Sequence, residues 1–233
     1  MSNPVALLCS PRPGGVSDAV AHLVAAGVAE AGAELQLVPL RDYAFDGCID
    51  CGGCTAPPHH CTLAGKNCDG RLDRAEEIFA LIESAPLLFI SAPIYFYFYA
   101  LPAHFKALID RTQRFWAAQN HAPSGRPSLP RPPVKPALVS LVAGRPRGKQ
   151  LFTGSLLTLR YFFSPLNAAI SETRLLRGLE RGKDLEERPA VRAALHAWGH
   201  DWGCRLMAGK VPGYVPDSHP GKGCGKDRPS SAG

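Results

Sequence analysis

Five of the eight cysteines in this chain fall between Cys48 and Cys68, in the run C-I-D-C-G-G-C-T-A-P-P-H-H-C-T-L-A-G-K-N-C. Cys48, Cys51 and Cys54 are separated by two residues each, and Cys61 and Cys68 each follow after six more. Thiolates spaced this tightly converge on one point and suit a polynuclear metal centre. Runs of C-x2-C-x2-C with a fourth cysteine nearby are an iron–sulfur signature. Gly52 and Gly53 let the backbone curl so that amides point at sulfur, and Pro57-Pro58 stiffens the span to Cys61. Three other readings compete. Structural zinc usually takes two separated C-x2-C pairs, disulfides need an oxidising compartment, and free or redox-active thiols need no metal at all. The spacing alone leaves these open, and five cysteines are one more than a four-ligand cluster uses.

A second stretch, S-P-R-P-G-G-V-S from Ser10 to Ser17, follows the apolar run Pro4 to Cys9. It has neither G-x-G-x-x-G nor G-x-x-x-x-G-K-[ST], so it is not a Rossmann fingerprint or a Walker loop. It does offer hydroxyls at Ser10 and Ser17, a cation at Arg12 and two glycines before a helix. Amides at a helix N-terminus favour a phosphate by roughly 0.3–1 kcal/mol through the dipole. An ordinary capped turn is equally compatible. The third stretch is G-R-P-R-G-K, with Arg145, Arg147 and Lys149. It reads either as an anion contact or as a solvated basic turn.

The elements that must position these stretches alternate. Strands are expected at Pro4–Cys9, Glu34–Leu40, Pro86–Ala92, Ala137–Ala143 and Ala169–Leu176. The first is apolar without alternation, as in a strand buried on both faces. Helices are expected from Ser17, as N-cap, to Gly32, over Asp69–Ser84 and Ala100–Ala118, around Phe152–Phe163, and over Pro189–Ala208. Alternation of this kind implies a doubly wound five-stranded parallel sheet with helices on both faces and a cysteine-rich insertion after strand 2. Ligands of such sheets bind beyond the carboxyl ends of the strands. The phosphate-type, cysteine, aromatic (Pro93 to Tyr99) and basic loops are then expected on one rim. Residues 121–136 hold six prolines and no acid and read as a connector. Residues 209–233 read as a flexible tail after a domain spanning 1–208, with the cysteine loop at 46–70.

Four motifs together resemble the flavodoxin-like NAD(P)H-dependent FMN reductases, and among them the iron–sulfur flavoprotein branch. They are S-P-R-P-G-G-V-S, C-I-D-C-G-G-C with its further cysteines, A-P-I-Y-F and F-K-A-L-I-D-R. The resemblance is specific from about residue 4 to 116 and architectural to about 208. It implies FMN, with the phosphate in the loop of Ser10, Arg12, Gly15, Val16 and Ser17 and the ring near Pro93, Ile94, Tyr95 and Phe96. It implies Cys48, Cys51, Cys54 and Cys61 as ligands of a [4Fe-4S] cluster, leaving Cys68 extra. It also implies NAD(P)H as electron donor, a small-molecule or protein acceptor, and a homo-oligomer. Tyr97, Phe98 and Tyr99 make the aromatic loop bulkier than the family's usual one. A non-enzymatic electron carrier and a zinc or thiol redox-sensing module without flavin are the rival functions.

Composition narrows the partners. The formal charge is +6 and the pI about 9.0, but the basic residues are scattered and many lie in proline-rich connectors, so no nucleic-acid partner is expected. The first residues have no basic n-region and too short an apolar run for a signal peptide. Ser84 to Ala103 is uncharged over 20 residues, yet Pro86, Pro93 and Pro102 interrupt it. No membrane span is expected, and the reading is a cytoplasmic protein whose length allows roughly 70–75% of its unfolded surface to be buried.

Overall fold

The computed structural model describes residues 3–66, 70–95, 100–120 and 134–214. Cys68, Phe96, the tail beyond 214 and most of the proline-rich stretch lie outside them. Five parallel strands form one sheet in the order β2-β1-β3-β4-β5: β1 Val5–Leu8, β2 Gln36–Pro39, β3 Leu88–Pro93, β4 Lys135–Ala143 and β5 Ala168–Arg177. This is the flavodoxin-like doubly wound α/β fold.

Side-chain alternation along each strand divides the interior into two layers. Val5 and Leu7 of β1, with Leu88, Ile90, Val139 and Leu141, face one apolar cluster. It is covered by α2 (Ala75–Ser84), α3 (Ala103–Asp110), α4 (Gln113–Asn120) and α5 (Thr153–Phe163). Ala6, Leu8, Phe89, Leu138 and Val142 face the other. That side is covered by α1 (Val16–Glu30), α6 (Gly182–Glu186) and α7 (Pro189–Met207). The unbroken apolar composition of β1 follows from its double burial. The last strand is an edge strand and carries polar residues accordingly. Its Glu172 accepts a hydrogen bond from Trp198 Nε1 of α7 at 2.8 Å and pairs with Arg205 at 3.2 Å.

Where α1 crosses α7 the backbones nearly touch. A Cβ on Gly199 would collide with Val24 O, one on Gly27 with His196 O, and one on Gly203 would sit 2.6 Å from the Ala31 Cβ. Glycine at these three positions lets the two helices approach and bury Trp198 and Trp202 beside the crossing.

Several boundaries differ from expectation, each for a local reason. Helix α2 begins at Ala75 rather than Asp69 because the Asp73 carboxylate accepts the Ala75 amide at 3.1 Å and is held by Arg111. Leu72, within the stretch expected to be helical, is exposed. The single helix expected over Ala100–Ala118 is two, broken at Arg111-Thr112. There Thr112 Oγ1 donates to Ile109 O at 2.7 Å, a back-bond that bends helices. The proline-rich connector, expected to run to Pro136, ends earlier, since Lys135 and Pro136 already pair with Ala168 and Ala169. A proline is tolerated at the start of a strand, and Lys135 Nζ donates to Ile82 O and Glu83 O at 2.8 Å, closing the end of α2. Beyond α7, Val211 is buried and Tyr214 packs beside it, so packed structure extends past the boundary expected at 208.

Candidate functional site

The loop from Ser10 to Gly15 leaves β1 and enters α1 at the carboxyl edge of the sheet. Its shape is set mainly by internal bonds. Ser10 Oγ donates to Arg12 O at 2.9 Å and accepts Arg12 N at 3.2 Å. Gly14 takes φ +67°, a left-handed conformation that glycine adopts freely, and donates its amide to Asp18 Oδ2 at 3.0 Å. The same Asp18 oxygen meets Arg41 Nη1 at 3.0 Å, and Arg41 Nη1 also donates to Ser10 O at 3.2 Å. A buried carboxylate and a partly buried guanidinium thus hold the loop from beneath. The N-cap of α1 is Gly15, not Ser17 as expected; Ser17 is buried in the first turn, where Ser91 Oγ of β3 donates to its carbonyl at 2.7 Å. The first-turn amides of α1 have no intrahelical carbonyl to bind. These amides and Arg12 are donors of the kind an anion uses.

Against this loop lies a cavity of about 310 Å³, walled on its other sides by Pro93, Ile94, Tyr95, Gly144 and the segment Leu179–Gly182. A second recess of about 500 Å³ adjoins it, sharing Arg12, Ile94, Tyr95, Gly144 and Glu180 and adding Arg145 and Leu151. Tyr95 and Ala100 exchange backbone hydrogen bonds at 2.9 and 3.3 Å, which closes the base of the aromatic loop. The phosphate-type, aromatic and basic loops therefore meet as the sheet topology requires. Arg145 lines the second recess, whereas Arg147 and Lys149 line neither cavity.

Sequence reasoning missed Leu179–Gly182. No motif marks these residues, but the loop after the last parallel strand reaches the same edge, so the topological rule itself pointed there. The two cavities lie within the size range of small-molecule sites. An anion-binding loop at one end and a mostly apolar strip, Pro93 to Tyr95, at the other match a ligand with a phosphate tail and a flat ring, so the residues present fit FMN.

The cysteine loop turns away from this cleft. Its residues line neither cavity. Cys48, Cys51, Cys54 and Cys61 instead line one separate recess of about 50 Å³, with Thr62, Leu63 and Gln113. Asp50 N donates to Cys48 Sγ at 3.4 Å, and Cys51 Sγ lies 3.0 Å from Thr62 Oγ1. The Thr62 hydroxyl, aided by the Gly53 amide, lowers the Cys51 thiol pKa. Burial, and behind it the charges of Cys61, Cys48 and Cys51, raises that of Cys54. Among the described residues no group of three or more His, Cys, Asp or Glu side chains is placed to hold a single metal ion. Four thiols around one recess match an iron–sulfur centre in donor type alone.

A parallel sheet of order 2-1-3-4-5 with helices on both faces and a cavity at its carboxyl edge defines the flavodoxin-like class of doubly wound α/β protein. Within it, the chain belongs to the NADPH-dependent FMN reductase family, whose model matches residues 3–156, and is accordingly an oxidoreductase. No curated protein matches the sequence significantly. Solved structures share the fold at low identity. A flavone reductase matches with TM-score 0.61 at 12% identity, over 91% of this chain and 66% of that one. An NAD(P)H:quinone oxidoreductase from Methanothermobacter marburgensis matches with TM-score 0.56 at 17% identity, over 89% and 100%. An FMN-dependent NADH-azoreductase from Bacillus anthracis, solved in complex with FMN, matches with TM-score 0.56 at 13% identity, over 88% and 99%. This chain thus spans just under two thirds of the flavone reductase's length. Among the described residues no helix is long and apolar enough to cross a membrane.

Proposed function

We propose that this protein is an FMN-dependent reductase that passes electrons from NAD(P)H to a small-molecule or protein acceptor. The observation that carries the reading is the cleft shared by Arg12, Gly15, Ile94, Tyr95 and Gly144, in a chain of this family. In that cleft the first-turn amides of α1 and Arg12 hold the phosphate, while Pro93, Ile94 and Tyr95 back the ring. FMN held there would supply the redox chemistry, hydride acceptance from a nicotinamide and electron release to an acceptor. The protein supplies position and electrostatics. Arg145, which lines the second recess, serves as the contact for an anionic donor. Titration of the apoprotein with FMN, followed by assay of NADH and NADPH oxidation with quinone and azo acceptors, tests the reading. Flavin binding without turnover of either nucleotide leaves the electron-carrier alternative.

A finer reading is that the cysteine recess holds an iron–sulfur cluster, a one-electron partner to the flavin. What supports it is that Cys48, Cys51, Cys54 and Cys61, from a segment of 14 residues, line the same recess. Iron and sulfide analysis of protein reconstituted without oxygen decides it. No uptake of iron leaves a thiol loop. Exposed Leu157, Tyr161 and Leu175 near the β5 edge support a homo-oligomer, which size-exclusion chromatography with light scattering tests.

A further inference from the structure

Glu180 stands where the two recesses of the cleft join and lines both. Its backbone is fixed: the Glu180 and Arg181 amides donate to Asp184 Oδ2 at 2.7 and 2.9 Å. Its side chain is not. Among the described residues no hydrogen bond or ion pair engages the Glu180 carboxylate. Instead it lies against the backbone of Gly144, where a Cβ would collide with Oε2. Glycine at 144 is therefore what lets a carboxylate lie over the wall between β4 and the cleft. Glu180 also falls outside residues 3–156, the part of the chain that matches the family model.

We propose that the Glu180 carboxylate faces the bound flavin and lowers its reduction potential. The inference rests on the FMN reading above. Hydride transfer, NAD(P)H + FMN → NAD(P)⁺ + FMNH⁻, adds one negative charge to the ring. A carboxylate at the junction repels that charge and leaves the oxidised ring nearly unaffected. Arg12, Arg145 and Arg181 line the same recesses and offset part of the repulsion. Across a partly hydrated cleft, one unit charge a few ångströms away changes the balance between oxidised and reduced flavin by about tenfold. For a two-electron couple that is about 30 mV.

The test uses holoprotein and two variants. Glu180→Gln keeps the size of the side chain and removes its charge. Gly144→Ala keeps the charge and pushes the carboxylate off the wall. The readouts are the FMN dissociation constant, from flavin fluorescence quenching, and the two-electron midpoint potential, from equilibration with a reference dye. Both variants should bind FMN and show a more positive midpoint, by about 30 mV for Glu180→Gln. A midpoint in Glu180→Gln that is unchanged or more negative, with FMN still bound, overturns the role of Glu180 and leaves the FMN reading intact. Wild-type protein that takes up no FMN removes both.

Discussion

The Arg111 guanidinium and the Asp73 carboxylate form a two-pronged ion pair at 2.8 and 3.2 Å, with both side chains wholly buried, and this pair fastens both ends of the cysteine loop. Arg111 Nη1 donates to Asp46 O at 3.0 Å, and Asp46 N donates to Asp73 Oδ2 at 3.3 Å. Alongside, Arg74 N donates to Ala44 O at 2.8 Å. The long excursion between β2 and α2 is therefore closed at its neck by a charge carried from the end of α3. Breaking a buried pair from one side leaves an uncompensated charge and costs about 3–5 kcal/mol. Asp73→Ala should lower the midpoint of thermal unfolding accordingly. Arg111→Met in an Asp73→Leu background should recover part of the loss, and limited proteolysis of Asp73→Ala should cut first between residues 46 and 73. A thermal midpoint for Asp73→Ala equal to wild type would show that the neck is held by backbone bonds alone.

This pair also marks where the sequence stopped being legible. Helical spacing offers polar residues at the end of α3 partners on their own helix, and Asp110 takes one there, Lys106. Arg111 points instead to a residue 38 positions away. Periodicity reports which face of a helix is apolar, not which distant carboxylate meets a polar residue on that face. The doubly wound parallel sheet was legible because parallel strands joined by helices leave few topologies. The phosphate-type loop and the aromatic strip were legible because each follows a strand end. Gly27 appears in the apolar stripe of α1, yet its close approach to α7 depends on a crossing that no single helix encodes.

That crossing gives a direct stability prediction. Gly199→Ala places a methyl group against Val24 O, which is backbone and cannot swing aside. Overpacking of this kind costs roughly 1–3 kcal/mol, despite the gain in helix propensity of about 1 kcal/mol for alanine over glycine. Gly154→Ala, at the start of α5 with open space around it, should be neutral or slightly stabilising. Urea denaturation of the two variants should separate them in opposite directions from wild type.

Cys9 predicts an alkaline limit. Burial, and secondarily the Asp18 charge, push its thiol pKa well above the ordinary value. The unfolded chain ionises this thiol above pH about 8.5 while the folded chain keeps its proton. Unfolding then releases a proton, so stability falls as pH rises past that point, by up to about 1.4 kcal/mol per pH unit. Below pH about 8 both states are protonated and the effect vanishes. Cys9→Val should flatten the dependence of stability between pH 8.5 and 10. A slope unchanged from wild type would assign it to other groups. In folded protein stripped of metal, at neutral pH, a thiol reagent should label exposed Cys48 and Cys51 and spare Cys9.

The anion-binding loop predicts two separable losses of flavin affinity. Arg12 lines both recesses of the cleft. A charge-assisted hydrogen bond to a phosphate is worth about 1.5–3 kcal/mol, so Arg12→Ala should weaken FMN binding by about tenfold to a hundredfold. Riboflavin has no phosphate, and its binding should change little. Asp18 acts differently. It contacts the loop from beneath, through Gly14 N and Arg41, and its charge by itself disfavours a nearby phosphate. Asp18→Asn keeps an acceptor for the Gly14 amide and removes that charge. If Asp18 serves only as a charge, the variant should bind FMN more tightly; if it serves to shape the loop with Arg41, affinity should fall. The two bonds converging on its Oδ2 and the tie from Arg41 to Ser10 O favour the second outcome, with Arg41→Ala giving a loss in the same direction. Calorimetric titration of FMN and riboflavin into the three apoproteins measures all of these. Equal losses of FMN and riboflavin affinity in Arg12→Ala would remove Arg12 from the phosphate site.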